Sequence, residues 1–130
     1  MTAFTDTRSS SRPRIGFDMV VLDTDDPPLL ADFYTALLGW EVERADDDWI
    51  TLRGDSDARI AFQLAPDHRP PTWPSNEVPQ QSHFDFAVDD LDAAEAYAIS
   101  IGARPVEGPE KSDGFRVYLD PSGHPFCLCR

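Results

Sequence analysis

Residues 25–42, DDPPLLADFYTALLGWEV, and residues 89–106, DDLDAAEAYAISIGARPV, are two versions of one pattern, and that pattern decides the fold. In each, paired aspartates supply a helix start. Pro27 and Pro28 fit the first turn, where the missing N–H costs nothing. Leu29, Leu30, Phe33, Leu37 and Leu38 follow at helical spacing, and Gly39 ends the helix. In the second copy Leu91, Ala94, Ala98 and Ile101 form the stripe and Gly102 closes it. Asp26 matches Asp90 and Gly39 matches Gly102, with spacings that differ by one residue. A duplicated unit of this kind is the first thing to seek in a sequence, because it sets the whole architecture.

Working outward, each helix is preceded by one strand and followed by three. In the first copy the strand before the helix is read in the apolar run Ile15–Leu22. The strands after it are Trp40–Ala45, Trp49–Arg53 and Arg59–Ala65, separated by turn-rich Asp46–Asp48 and Gly54–Asp57. In the second copy they are His83–Val88, then Ala103–Glu107, Phe115–Leu119 and Pro125–Cys129. The segment 66–82 holds five prolines and few apolar residues, which predicts a linker. The expected fold class is α+β: two βαβββ modules, 15–65 and 83–130. Residues 1–14, rich in Ser, Thr and Arg without an apolar stretch, predict a disordered arm and not a secretory signal.

The bulk numbers bound the partners. At 130 residues the chain suits one domain with a core that needs no disulfide or metal. A net charge of −13 argues against nucleic acid, whose phosphates it would repel. It serves solubility, or it favours a cationic or neutral ligand. No run reaches the roughly 20 apolar residues of a membrane span. Cys127 and Cys129 lie two apart on one strand, with Cα atoms roughly 6.5 to 7 Å apart, at the long limit for a disulfide. Free thiols without a signal peptide predict the cytoplasm.

The order βαβββ–linker–βαβββ resembles the vicinal-oxygen-chelate superfamily, which includes glyoxalase I, extradiol dioxygenases and bleomycin-binding resistance proteins. The resemblance is carried by Asp26-Pro27 through Phe33-Tyr34, Leu37-Leu38-Gly39-Trp40, the run His83 to Asp92, Ile101-Gly102-Ala103 and Asp120 to Phe126. Pro70–Pro74 leading into His83-Phe84-Asp85 resembles its glyoxalase-like branch. The resemblance implies mixed sheets that curl into a half-barrel cavity with helices outside, and a metal held on the concave face by first and last strands in the members that use one. It also implies a homodimer whose clefts form at the subunit interface.

Strand alternation sorts the faces. Phe84, Phe86, Val88, Val20, Leu22, Ile50, Leu52, Val117 and Leu119 are expected against the helices. That leaves Met19, Val21, Trp49, Thr51, Ala61, Gln63, His83, Asp85, Ala87, Arg116, Tyr118, Cys127 and Cys129 facing the cavity. Trp73, in the linker, either anchors that segment or lines the pocket. Mapped through the resemblance, the metal-ligand positions hold Met19, Gln63, His83 and Cys127. A hard divalent ion wants His and carboxylate ligands, and only His83 is typical, so no metal cofactor is expected. Cys127 suits a softer ion such as zinc. Arg116 and Asp85 either pair across the cavity or orient a ligand. His124 is read as a turn or surface residue and His68 receives no role.

Three functions follow. The first is a metal-free small-molecule binder that sequesters a hydrophobic or cationic aromatic compound, as in bleomycin-type antibiotic resistance. The second is a glyoxalase-like lyase, isomerase or dioxygenase with an atypical metal site, with His83 its best general base or ligand. Tyr118 and Cys127 stand behind it. The third is a structural or regulatory partner of another protein.

Overall fold

A computed structural model of the protein describes residues 12–106 and 114–130. Most of the arm expected over 1–14, and the expected turn after Val106, lie outside them. The element order is β1 (Val20–Thr24), α1 (Pro27–Leu38), β2 (Glu41–Asp46), β3 (Trp49–Arg53), β4 (Arg59–Leu64), β5 (Phe84–Ala87), α2 (Leu91–Ser100), β6 (Arg104–Pro105), β7 (Phe115–Leu119) and β8 (Pro125–Cys129). Both helices start where the aspartates predict. Asp26 Oδ1 accepts the Leu29 N–H at 3.1 Å, and Asp90 Oδ1 accepts the Ala93 N–H at 3.1 Å. Gly39 ends α1 with φ +70°, a left-handed conformation that glycine adopts without cost.

The strands form two four-stranded mixed sheets, ordered β1-β4-β3-β2 and β5-β8-β7-β6. In each the first strand runs parallel to the last and the other pairings are antiparallel. Neither sheet closes into a barrel. β1 begins at Val20, later than the apolar run suggests. Its ladder partner β4 starts at Arg59, one residue before the partner of Val20, so residues before Met19 have no strand to pair with, and Ile15 and Phe17 are exposed.

One apolar core spans both modules. Leu22, Ile50, Leu52, Ile60 and Phe62 of the first sheet meet Leu30, Phe33 and Tyr34 of α1. Leu29, expected on that stripe, points to solvent instead, because Pro27, Leu30, Ala31, Phe33 and Tyr34 already fill the packed face. Tyr34 is the hinge of the packing. Its ring stacks on Phe62 at 5.6 Å and meets Phe84 of the second sheet edge-on at 5.9 Å. Phe33 contacts Phe126 at 5.8 Å. Each large side chain so buried contributes about 1.5–3 kcal/mol.

Buried polar contacts fasten the modules further. Tyr34 OH donates to Asp120 Oδ2 at 2.7 Å, and the Thr24 and Ser122 hydroxyls bond at 2.7 Å. At the surface, Tyr97 OH of α2 also donates to the Ala36 carbonyl of α1 at 2.7 Å. Because both helices pack into this shared core, the opposite face of each sheet is left open.

Candidate functional site

Cross-strand register tells which side chains share an open face. On the first sheet one row is Val21, Ala61 and Thr51, and the next is Asp23, Gln63, Trp49 and Asp46. Trp49 is half-buried and donates its Nε1–H to Thr51 Oγ1 at 2.7 Å. The Arg44 guanidinium lies 5.9 Å from the indole centroid, within cation–π range. Thr51 and Ala61 are buried, so they form the floor of this face, while Gln63 and Asp23 stand exposed on it. Met19 sits just before β1, half-buried.

On the second sheet the open-face row is Asp85, Cys127 and Val117. His83, just before β5, brings Nε2 within 3.3 Å of Asp85 Oδ1. Ligand-capable atoms of His83, Asp85 and Cys127 all lie within 4.8 Å of one another. Burial, reinforced by the Asp85 carboxylate, pushes the Cys127 thiol up to about 11. Cys129 is raised as well, chiefly by burial and then by Asp85. Both sulfurs are therefore protonated at neutral pH, and neither is an activated nucleophile.

Arg116 and Tyr118 are not on this face. In the β7–β8 register Tyr118 stands opposite Phe126 and Arg116 opposite Leu128, both core residues. Tyr118 is fully buried, stacks on Phe126 at 5.4 Å and donates to Glu95 Oε1 of α2 at 2.9 Å. Arg116 pairs with Asp92 at 3.0 Å and Glu95 at 3.4 Å on the same helix. The expected Arg116–Asp85 pairing therefore does not form, and Val117 takes the open-face position instead. α2 accommodates both side chains: buried Ala98 and half-buried Ala94 leave room for the Tyr118 ring, and Asp92 and Glu95 offer two carboxylates to the polar ends.

Trp73 is half-buried in the linker, beside a cis peptide bond to Pro74. It does not line the main groove, which has a volume of about 620 Å³ between the end of β1, the linker and His124. Three residues at that groove were given no site role from sequence. His124 Nε2 bonds the Asp23 carbonyl at 2.6 Å, and His68 Nε2 bonds the Ser122 carbonyl at 3.0 Å. The two imidazoles pack at 4.9 Å. Asp23 was legible, since it continues the Met19, Val21 alternation; the histidines carried no local signal.

Of the sequence-predicted residues, Trp49, Thr51 and Gln63 share one sheet and His83, Asp85 and Cys127 the other, while Met19 precedes β1, Trp73 lies in the linker and Arg116 and Tyr118 face α2. Among the described residues no helix is long and apolar enough to cross a membrane. No curated protein matches the sequence. Solved structures do match in fold. A glyoxalase/bleomycin resistance protein from Albidiferax ferrireducens T118 is 22% identical with a TM-score of 0.62, over 87% of this chain and 96% of that one. A glyoxalase/bleomycin resistance protein/dioxygenase family enzyme from Burkholderia phytofirmans PsJN is 20% identical with a TM-score of 0.65, over 85% and 94%. A possible glyoxalase from Bacillus cereus gives 12% and 0.67, over 90% and 100%. The model of the glyoxalase-like domain family matches residues 19–129. With the paired βαβββ sheets and their open faces, that match makes the chain a member of the glyoxalase-like domain family, within the vicinal-oxygen-chelate superfamily.

Proposed function

We propose that the protein binds and sequesters a small aromatic compound, hydrophobic or cationic, on its open sheet faces. The observation that carries this reading is the row Asp23, Gln63 and Trp49: an indole face beside an amide and a carboxylate, on a face no helix covers. Aromatic ligands stack on such a surface, and the carboxylate together with the net charge of −13 favours a cation. Groups that would do chemistry are restrained. Both thiols hold their protons, and Tyr118 is committed to Glu95 inside the core. The reading includes a homodimer, because the open faces carry exposed Val21 and Phe115, apolar surface that a second chain would cover.

A second reading, a metal-assisted glyoxalase-like enzyme, is favoured by the His83, Asp85 and Cys127 cluster. The four positions implied by the family do not suit a hard cation, since Met19 offers a thioether and Gln63 an amide. Imidazole, carboxylate and thiol do suit zinc. Zinc held there would act as a Lewis acid on a bound oxygen. Cys127 would have to release its proton to ligate, so such binding would strengthen as pH rises.

One experiment separates the readings: protein purified without chelator is assayed for metal and titrated with proflavine, a planar aromatic cation, by the dye's own anisotropy. The expected result is metal-free protein with saturable dye binding, weakened about tenfold or more in Trp49→Ala with its fold intact by circular dichroism. Stoichiometric zinc lost in His83→Ala, with dye binding indifferent to Trp49→Ala, overturns the first reading for the second.

A further inference from the structure

The segment joining the modules is built as a wall. The Ala65 N–H donates to the Thr24 carbonyl at 2.8 Å and the His68 N–H to the Ala65 carbonyl at 2.9 Å. Farther on, the Thr72 N–H donates to the Val78 carbonyl at 2.8 Å, and the Val78 N–H to Thr72 Oγ1 at 2.9 Å, closing the loop on itself. His68 reaches across to the Ser122 carbonyl, and Pro70 sits so close to Gly123 that an added Cβ would lie 2.6 Å from it. The groove behind this wall is therefore held open in advance, which lowers the ordering cost of filling it.

We infer that this groove recognises an organic ammonium or amidinium group carried on a small apolar body. Its volume of about 620 Å³ falls in the roughly 300–1,000 Å³ range of small-molecule sites. Val21, Pro66, Pro71, Val78 and Pro79 give it apolar sides. Among its polar side chains Gln81 and Ser82 can donate or accept, and four others present acceptors. A carbonyl can only accept, so the bonds to Asp23 O and Ser122 O place the proton of each neutral imidazole on Nε2. That leaves Nδ1 of both His68 and His124 as bare lone pairs. The carboxylates of Asp23 and Asp67, also in the lining, have no hydrogen bond or ion pair among the described residues. Arg69 is the one guanidinium in the lining, and against two carboxylates it leaves the groove negative. A donor-rich cation complements such a set, and charge-assisted hydrogen bonds are the stronger kind. The groove shares Asp23 with the sheet-face row but needs neither Trp49 nor the His83 cluster, so the inference goes beyond the proposed function.

The test uses cyclohexylmethylamine and its neutral isostere cyclohexylmethanol, titrated into the full chain while the imidazole C–H signals of His68 and His124 are followed by NMR. The amine is expected to shift both signals saturably and the alcohol to leave them in place. Asp23→Asn/Asp67→Asn, which alters only exposed side chains, is expected to weaken the amine about tenfold or more. Amine binding is expected to persist in Trp49→Ala with its fold intact, since the indole belongs to the sheet face and not to the groove. Equal shifts with the alcohol, no shift with the amine, or full affinity in the double variant each overturn the inference. Loss of amine binding in Trp49→Ala overturns it too, while leaving the sheet-face reading in force.

Discussion

Replacing Tyr34 with Phe removes one oxygen from the place where the two modules are joined. The Tyr34 side chain is fully buried, and its hydroxyl donates to Asp120 Oδ2 at 2.7 Å. Asp120 is equally buried, and its other oxygen, Oδ1, accepts the N–H groups of Ser122 at 2.9 Å and His124 at 3.0 Å. After Tyr34→Phe, Oδ2 is left in the core without a donor. Losing a hydrogen bond to a charged group costs about 1.5–3 kcal/mol. At about 4 °C per kcal/mol for a chain of this size, the melting temperature should fall by about 6–12 °C at neutral pH.

The pH dependence makes this prediction specific. Burial raises the Asp120 pKa above its ordinary value, and the Tyr34 hydrogen bond together with His124 opposes that rise. Tyr34 itself is held protonated, first by burial and then by the Asp120 charge, so it stays a donor. A carboxyl whose folded pKa is raised binds its proton more tightly when folded. Its contribution to stability is present at low pH and is lost as pH rises through the folded value. Without the tyrosine hydroxyl that folded value rises further, so the variant regains stability earlier on acidification and the gap between the two proteins narrows. Urea unfolding of both at neutral pH and at about pH 5 reads this directly, and the other carboxylates cancel in the difference. A gap under about 0.5 kcal/mol at neutral pH, or one that widens on acidification, refutes the reasoning.

Two further substitutions probe how tightly the surrounding turns are set. Gly123→Ala forces a side chain onto φ +87° and against Pro70, and should cost about 1–3 kcal/mol while exposing segment 66–82 to proteolysis, measured by melting and limited digestion. Gly54→Ala keeps an ordinary φ of −106° but places Cβ 2.1 Å from Trp40 Cε2, so its loss of about 1–3 kcal/mol should be steric and partly relieved by Trp40→Leu.

The duplicated unit was legible because it is written in local chemistry: aspartate caps, glycine stops and apolar stripes need no distant partner to be recognised. Strands β3, β7 and β8 fall where alternation and turn residues put them. The ends of β1 did not, since a strand exists only where its ladder partner does, and the start of β4 at Arg59 is not visible from the run Ile15–Leu22. The first-module face followed the same logic, with Ile50 and Leu52 inward to the core and Trp49, Gln63 and Val21 on the open side.

The face of β7 failed for a reason that bears on function. Ranking by hydrophobicity sends Val117 and Leu119 to the core and Arg116 and Tyr118 away from it. The hairpin says otherwise. The Asp120 N–H bonds the His124 carbonyl at 2.9 Å, which pairs Leu119 with Pro125 and hence Tyr118 with Phe126. Once Cys127 is placed on the open face, that register commits Val117 to it as well. Turn geometry outranks side-chain polarity here because a register is shared by every pair in the ladder, whereas one tyrosine and one arginine need only two carboxylates on α2 to be accommodated. The consequence is chemical. The second sheet presents His83, Asp85 and Cys127 beside an apolar Val117, with no arginine among the described residues paired to Asp85. On that face Asp85 keeps His83 at 3.3 Å as its neighbour, and the two contacts expected from Arg116 and Tyr118 are spent on α2 instead.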